Sequence, residues 1–160
     1  MKTALGTFAL LLAGTAPAAE PKLDMLAFFT GHTHADNVIK IALHGPHKLN
    51  VDSVGGRNKE GQFVLIDTVQ EEGKPVRKRT WVMHPDGPNH FTGTLSDASS
   101  PVDVTVSGNS ATIRYVMKEG GMKIEQQLAL RADGTLSNHV VAKKFGLKLA
   151  AVDGTIRKLD

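Results

Sequence analysis

The sequence predicts an all-β fold, a lipocalin-like antiparallel up-and-down barrel of about 8–10 strands. Two observations favour it. Apolar and polar residues alternate with a period of two along most of the chain, and turn residues recur about every eight to twelve positions. A sustained helical period is absent, apart from one turn expected at residues 24–29. A meander of this length usually closes on itself to hide its edge strands, and a two-sheet β-sandwich is the alternative.

The first half of the chain gives strands broken by glycine and proline. Gly45-Pro46 and residues 72–75 are typical of turns. Gly55-Gly56, expected to be hairpin glycines, and Glu60-Gly61 are predicted to bracket a further turn. The predicted strands between these breaks cover residues 39–43, 47–54, 63–66 and 76–83.

The second half alternates more regularly. Turns are expected at Gly108-Asn109, Gly120-Gly121 and Asp133-Gly134. The last of these is the strongest hairpin signal, because a type I′ turn needs positive φ at both central residues. The predicted strands cover residues 102–106, 112–117, 122–131, 136–145 and 148–158.

The first eighteen residues have the pattern of an export signal. Lys2 is followed by an apolar run over residues 4–14 and by the small residues Ala16-Pro17-Ala18. The run is too short for a transmembrane helix, which needs about twenty apolar residues, and no later segment is long enough. The sequence therefore predicts a signal peptide at residues 1–18, one domain at residues 19–160, and a periplasmic or secreted protein.

Composition narrows the function classes. The chain has no cysteine, so it has neither disulfides nor thiolate chemistry, and it lacks the lipid-modified cysteine of lipoproteins. We therefore expect a soluble protein after cleavage. The net charge of +3 includes Lys2, so the mature chain carries +2. Its lysines are scattered among acids, a pattern that disfavours nucleic-acid binding.

Four of the seven histidines lie early in the chain, at His32, His34, His44 and His47. Two imidazoles in a His-x-His pattern on a strand share one face, which suits zinc or copper in an oxidising compartment. Alternatively, these histidines lie in a loop region and are solvated. No other cofactor is predicted.

Arg79 and Trp81 have the same parity and are expected to project from one face of a strand. A guanidinium can lie over an indole and still donate hydrogen bonds. The pair either closes one end of the core or lines a cavity and holds a carboxylate or phosphate head group. Tyr115 and Asn138 are expected to add a hydroxyl and an amide to the same interior. The alternative is that all four are core polar groups satisfied by neighbours.

Catalytic motifs do not stand out from this background. None of the serines lies in a Gly-x-Ser-x-Gly elbow. The paired glycines are not followed by a helix that would present amides to a phosphate. The sequence therefore favours a protein without an enzymatic role.

Several short motifs in a fixed order resemble the bacterial DUF3833 family of exported proteins, many of which carry a lipoprotein-type cysteine. They are Phe28-Phe29-Thr30-Gly31, Arg79-Thr80-Trp81, Phe91-Thr92-Gly93, Gly108-Asn109-Ser110-Ala111 with Tyr115, Leu136-Ser137-Asn138, Lys143-Lys144-Phe145-Gly146 and Lys158. The resemblance spans nearly the whole mature chain. It implies a single β-rich, lipocalin-like domain in the envelope and no particular reaction. This chain departs from the family in lacking the lipoprotein cysteine, and in having residues 128–131 where an aromatic, acidic stretch is expected.

These observations predict an exported barrel that binds a small apolar or amphiphilic, lipid-like ligand. Two other classes of protein stay open. One is a metal-binding protein or metalloenzyme built on the early histidines. The other is a structural or partner-binding envelope protein whose barrel is filled with side chains; its protein partner is not predicted.

Overall fold

The computed structural model describes residues 21–160, which form one short helix and ten antiparallel strands. The predicted signal peptide lies outside the described residues. The elements are α1 (Met25–Phe29), β1 (Gly31–Ile41), β2 (His47–Arg57), β3 (Phe63–Glu71), β4 (Arg77–Pro85), β5 (His90–Leu95), β6 (Val102–Ser107), β7 (Ser110–Val116), β8 (Lys123–Leu130), β9 (Leu136–Lys144) and β10 (Leu147–Lys158).

The strands form a closed up-and-down barrel. Each strand pairs with its neighbour in the chain, and β1 pairs with β10 in a register that runs from Thr33–Lys158 to Ile41–Ala150. Closure gives every strand two partners and removes the open edges of a meander. The predicted lipocalin-like barrel is confirmed, and the β-sandwich alternative is wrong for this chain.

Period-two alternation places one side of each strand in the core. On β3, Phe63, Asp67 and Val69 point inward and are buried. Ile66 has the opposite parity and is 44% exposed. The apolar run at residues 63–66 therefore supplies both the core and the outer surface, because consecutive side chains on a strand lie on opposite faces.

The two ends of the barrel differ. The helix end carries α1 and the turns β2–β3, β4–β5, β6–β7 and β8–β9, whereas the far end carries the other five hairpin turns. Leu23 N donates to the carbonyl oxygen of Gly108 (3.0 Å), which fixes the segment before α1 across the helix end. Phe28 and Phe29 of α1 are buried in edge-to-face contact, with ring centroids 5.1 Å apart. Within residues 21–160, no helix has the length and apolarity needed to cross a bilayer.

The ends of α1 are held by side chains. Asp24 is the N-cap residue, and its carboxylate accepts from Ala27 N at 2.9 Å. At the C-terminus, Lys158 Nζ donates to the carbonyls of Ala27 and Phe28, each at 3.2 Å, and also to that of Thr30. A cation at these free carbonyls is favourable. The helical turn expected at residues 24–29 is confirmed.

The expectation that Gly55 and Gly56 form a hairpin turn is wrong. Gly55 and Gly56 lie within β2, and the turn comes later, where Gly61 N donates to Asn58 O (3.0 Å). Gly55 is required inside the strand because a Cβ there would overlap the carbonyl oxygen of Phe29. By contrast, Gly120 and Gly121 do lie in a turn as expected, with φ of 71° and 60°.

The hairpin at Asp133-Gly134 has a different turn from the one predicted. Arg131 N donates to Thr135 O (2.8 Å), and Gly134 N donates to Arg131 O (3.0 Å). Gly134 has a φ of 81°, but Asp133 does not have a positive φ. The connection is a three-residue loop that ends in a left-handed glycine rather than a two-residue type I′ turn.

Candidate functional site

A cavity lies inside the barrel between α1 and the middle strand positions. Its volume is about 110 Å³. Most of its lining is apolar, and α1 covers it with Met25, Leu26 and Phe29. Cavities of about 150 Å³ admit a benzene-sized molecule. This cavity therefore has room for a short chain or a small ring, not for a long acyl chain.

A polar cluster around Asp67 forms part of the wall. The Asp67 carboxylate is 2% exposed and accepts three hydrogen bonds, from Ser53 Oγ (2.7 Å), Arg79 Nε (2.7 Å) and Trp81 Nε1 (2.8 Å). Strand pairing brings these groups together, since Asp67 lies opposite both Ser53 on β2 and Arg79 on β4. The carboxylate is therefore fully used within the protein.

Arg79 is the cluster member with unused hydrogen-bonding capacity. Only its Nε donates a hydrogen bond among the described residues, so the two Nη groups keep their N–H donors for the cavity. The guanidinium lies 5.3 Å from the centre of the Trp81 ring. Burial disfavours its charge, but the neighbouring Asp67 carboxylate more than compensates and raises the pKa of Arg79. The group therefore remains a cation beside a matched anion.

A chain of amides forms the second polar part of the lining. Gln126 Nε2 donates to Asn138 Oδ1 (2.7 Å), Asn138 Nδ2 donates to Asn37 Oδ1 (2.9 Å), and Asn37 Nδ2 donates to the carbonyl of Leu49 (3.1 Å). All three side chains line the cavity. This arrangement fixes the orientation of each amide and leaves Gln126 Oε1 without a protein donor among the described residues.

Of the four predicted ligand-binding residues, three meet at the cavity. Arg79, Trp81 and Asn138 line it. Tyr115 points into the same interior but packs beyond the cavity, edge-on against Trp81 with ring centroids 5.7 Å apart. Burial raises the pKa of Tyr115. Tyr115 therefore supports the indole from the side of the far end.

The four early histidines separate into two pairs at different heights on the barrel. His47 lies opposite Ile39 in the pairing of β1 with β2. Ile39 is five positions along β1 from His34, so the backbone at His47 is about 17 Å along the strand from that at His34, at 3.3 Å per residue. His44 lies in the β1–β2 turn. Within residues 21–160, no group of three or more histidine, aspartate or glutamate side chains is arranged to hold a metal ion.

Carboxylates contact three of these histidines, and His44 Nδ1 instead lies 3.1 Å from the carbonyl oxygen of Ala42. His32 Nδ1 lies 2.7 Å from an Asp160 oxygen, and His47 Nε2 lies 2.8 Å from Glu71 Oε1. His34 contacts Asp52 (2.6 Å) and Asp36 (3.1 Å). The hydrogen bond to Asp52 raises the pKa of His34 against a smaller opposing effect of burial, with Asp36 adding to the rise. The hydrogen bond to Glu71 likewise raises the pKa of His47.

Four polar residues of the lining were not predicted as site residues: Asn37, Ser53, Asp67 and Gln126. The signal for two of them is parity. Asp67 follows Leu65 and precedes Val69 at the inward positions of β3, and Gln126 fills the inward position between Ile124 and Leu128 on β8. A polar residue at an inward position of an otherwise apolar strand therefore indicates a polar part of the cavity lining.

The fold and this cavity define a lipocalin-like barrel. The structure is similar to the S-type phycobiliprotein lyase CPES from Guillardia theta, with a TM-score of 0.64 and 7% identity over 84% of this chain and 90% of that one. It is also similar to a protein of unknown function from the DUF3598 family of Nostoc punctiforme PCC 73102, with a TM-score of 0.65 and 13% identity over 92% of this chain. This chain spans about half (53%) of the length of that protein.

The sequence identifies the family. A model of DUF3833, described as a protein of unknown function, matches residues 6–158, and the chain belongs to this family. The resemblance drawn from the short motifs is thereby confirmed. Among curated proteins, none matches the sequence.

Proposed function

We propose that the protein binds a small, uncharged amphiphile in the cavity beneath α1. The observation that carries this proposal is a mostly apolar cavity lined by Arg79, whose Nη groups donate no hydrogen bond among the described residues. A carbonyl or similar acceptor bonds to Arg79, and a short apolar body packs against Phe29, Phe63 and Leu65. Small-molecule sites usually consist of an apolar pocket with a few polar groups.

The charge of the site favours an uncharged ligand over a carboxylate or phosphate. Asp67 already neutralises Arg79 at 2.7 Å, so the pair contributes no net charge. An anionic head group would leave one uncompensated negative charge inside the barrel, and unpaired buried charge is strongly unfavourable. A neutral acceptor uses the same N–H donors without this penalty.

The size of the cavity selects a short ligand. A volume of about 110 Å³ does not hold a long lipid tail while α1 keeps its present place. The lipid-like ligand predicted from the sequence is accordingly narrowed here to a molecule of at most about six carbons, the number in the benzene that a larger cavity of about 150 Å³ admits. The phycobiliprotein lyase shows that a barrel of this shape occurs in a protein of quite different sequence.

The only tryptophan of the chain, Trp81, lines the cavity and reports its occupancy. We would titrate the purified protein with hexan-2-one, hexanoate and hexylammonium and follow the intrinsic fluorescence of Trp81. We expect saturable binding of the ketone, weaker binding of the carboxylate and no binding of the amine, whose positive charge would find no counter-charge inside the barrel. Tighter binding of hexanoate than of the ketone would contradict the uncharged ligand.

Two variants locate the binding. Ala35→Leu fills the cavity without touching the polar cluster, and it should abolish the ketone signal. Arg79→Lys keeps the charge near Asp67 but loses the planar fork of donors, and it should weaken binding. Arg114→Lys, in an exposed pair with Glu125, is the matched control and should bind normally. Unchanged ketone binding by Ala35→Leu would overturn the assignment to this cavity.

We also propose that residues 1–18 direct export and that the mature protein acts in the periplasm. The charged start, the apolar run and the Ala16-Pro17-Ala18 site support this. Intact-mass measurement of the protein recovered from the periplasmic fraction should give a chain beginning at Ala19. Recovery of the uncleaved chain from the cytoplasmic fraction would contradict export.

A further inference from the structure

The far end of the barrel exposes large apolar side chains on two neighbouring hairpins. Leu43 in the β1–β2 turn is fully exposed, Phe145 in the β9–β10 turn is 91% exposed, and Leu147 is 68% exposed. The two hairpins are tied together, because Ala42 N donates to the carbonyl of Leu149 at 2.8 Å. We call Leu43, Phe145 and Leu147 the apolar tips; they form one projecting patch.

The backbone at two of the apolar tips is unfavourable for the residue present. Leu43 and Phe145 have φ of 67° and 52°, a region that suits glycine and asparagine. The third non-glycine residue with positive φ in the described chain is Asn89, a type that tolerates this conformation. At both tips, exposure and backbone conformation each disfavour a large apolar side chain. A large apolar residue at such a position indicates a functional contact with a binding partner.

The two hairpins that carry the apolar tips are cationic. Residues 40–48 and 143–148 contain five lysines and no acidic residue. Among the described residues, none of these five forms a salt bridge. The lysines are Lys40, Lys48, Lys143, Lys144 and Lys148. The neighbouring β3–β4 hairpin carries Glu71 and Glu72, and Glu72 accepts from Lys48 N at 3.1 Å, so the cationic surface is confined to the β1–β2 and β9–β10 hairpins.

We propose that the far end docks on an anionic phospholipid bilayer. Apolar side chains projecting beside a cluster of lysines insert among lipid head groups while the lysines attract anionic phosphates. The shape argues against a protein partner, because a stable protein interface buries about 800 Å² on each side and the apolar tips form a small projection rather than a broad face. Charge and shape both match a lipid surface.

Docking would orient the molecule. The apolar tips and α1 lie at opposite ends of the barrel, so the end that covers the cavity would face away from the bilayer. The inference does not depend on what the cavity binds, and its failure would leave the proposed ligand site untouched.

The test is sedimentation of the purified protein with vesicles of phosphatidylcholine alone and with about one-third phosphatidylglycerol. We expect binding to the anionic vesicles at low salt, little binding to the neutral ones, and release at high salt. Replacing one of the five lysines by glutamine should weaken binding about fivefold. Absence of sedimentation with anionic vesicles at low salt would overturn the proposal.

The variant Leu43→Asn with Phe145→Asn separates docking from stability. Asparagine suits both backbone positions, so the variant should be at least as stable as the natural protein while losing tenfold or more in affinity for anionic vesicles. Leu159→Asn removes a side chain that is 62% exposed at the other end and should bind vesicles normally. Equal vesicle binding by the double variant, or self-association through the apolar tips in sedimentation velocity, would contradict docking on lipid.

Discussion

Asp67→Asn is the substitution for which the structure gives the largest expected effect on stability. The natural carboxylate is 2% exposed and accepts from Ser53, Arg79 and Trp81 at 2.7–2.8 Å. Asparagine keeps one acceptor oxygen, turns the other position into a donor that faces existing donors, and removes the counter-charge of Arg79. The guanidinium then remains inside the barrel without a carboxylate partner.

Breaking a buried ion pair by removing one partner costs about 3–5 kcal/mol, a large share of the roughly 5–15 kcal/mol that stabilises a typical domain. We expect Asp67→Asn to lower the free energy of unfolding by about 3 kcal/mol, the lower bound of this range, because the Arg79 side chain is 21% exposed. Urea unfolding followed by far-UV circular dichroism measures this without relying on Trp81, whose fluorescence the substitution alters directly.

Two further variants test the reason for the loss. In Asp67→Asn with Arg79→Gln, the combined loss should be smaller than the sum of the single losses, because the second change removes the charge that the first left unpaired. Glu125→Gln breaks an exposed pair with Arg114 and should cost at most about 1 kcal/mol. A loss below about 1 kcal/mol for Asp67→Asn would refute the reasoning that this carboxylate neutralises a buried cation.

Three other outcomes are expected. Gly55→Ala should lower the free energy of unfolding by several times as much as Gly56→Ala. A Cβ at Gly55 would overlap the carbonyl oxygen of Phe29, whereas a Cβ at Gly56 meets open space. Equal losses in urea unfolding would contradict this. His34 has a raised pKa, so the ion pairs it makes stabilise the fold below about pH 6.5 and are lost as the pH rises through that raised value. The melting temperature of His34→Gln should therefore fall further below that of the natural protein at about pH 6 than at about pH 8.5, and a constant gap would rule the effect out. Lys158→Met removes the donor at the C-terminal carbonyls of α1, so amide exchange in α1 should quicken while the strands stay protected; unchanged exchange would show that the lysine does not hold the helix.

The barrel could be predicted because apolar and polar residues alternate along most of the chain, most regularly in its second half. Residues 102–106 and 122–130 give their inward face from sequence alone, and a long meander has few ways to hide its edges. The positions of the turns were harder to predict from the sequence. Gly55 is a glycine because the chain packs against Phe29, a contact between distant residues that no local pattern reveals.

The candidate site was only partly predictable for a related reason. Arg79 and Trp81 stood out by parity and residue type, and the structure places both at the cavity. Asp67 was missed although its parity with Leu65 and Val69 places it at an inward position, because an acidic residue is ordinarily expected on the outer surface. Its role comes from strand pairing, which sets it opposite Ser53 and Arg79. Register of this kind is fixed by the closure of the whole barrel.

The measurement that tests the central claim most directly is a crystal structure of the protein soaked with hexan-2-one. The account predicts ligand density between α1 and Trp81, with the ketone oxygen within hydrogen-bond distance of an Arg79 Nη atom and the short chain against Phe29. A cavity closed by side chains, or a ketone bound elsewhere on the barrel, would contradict it.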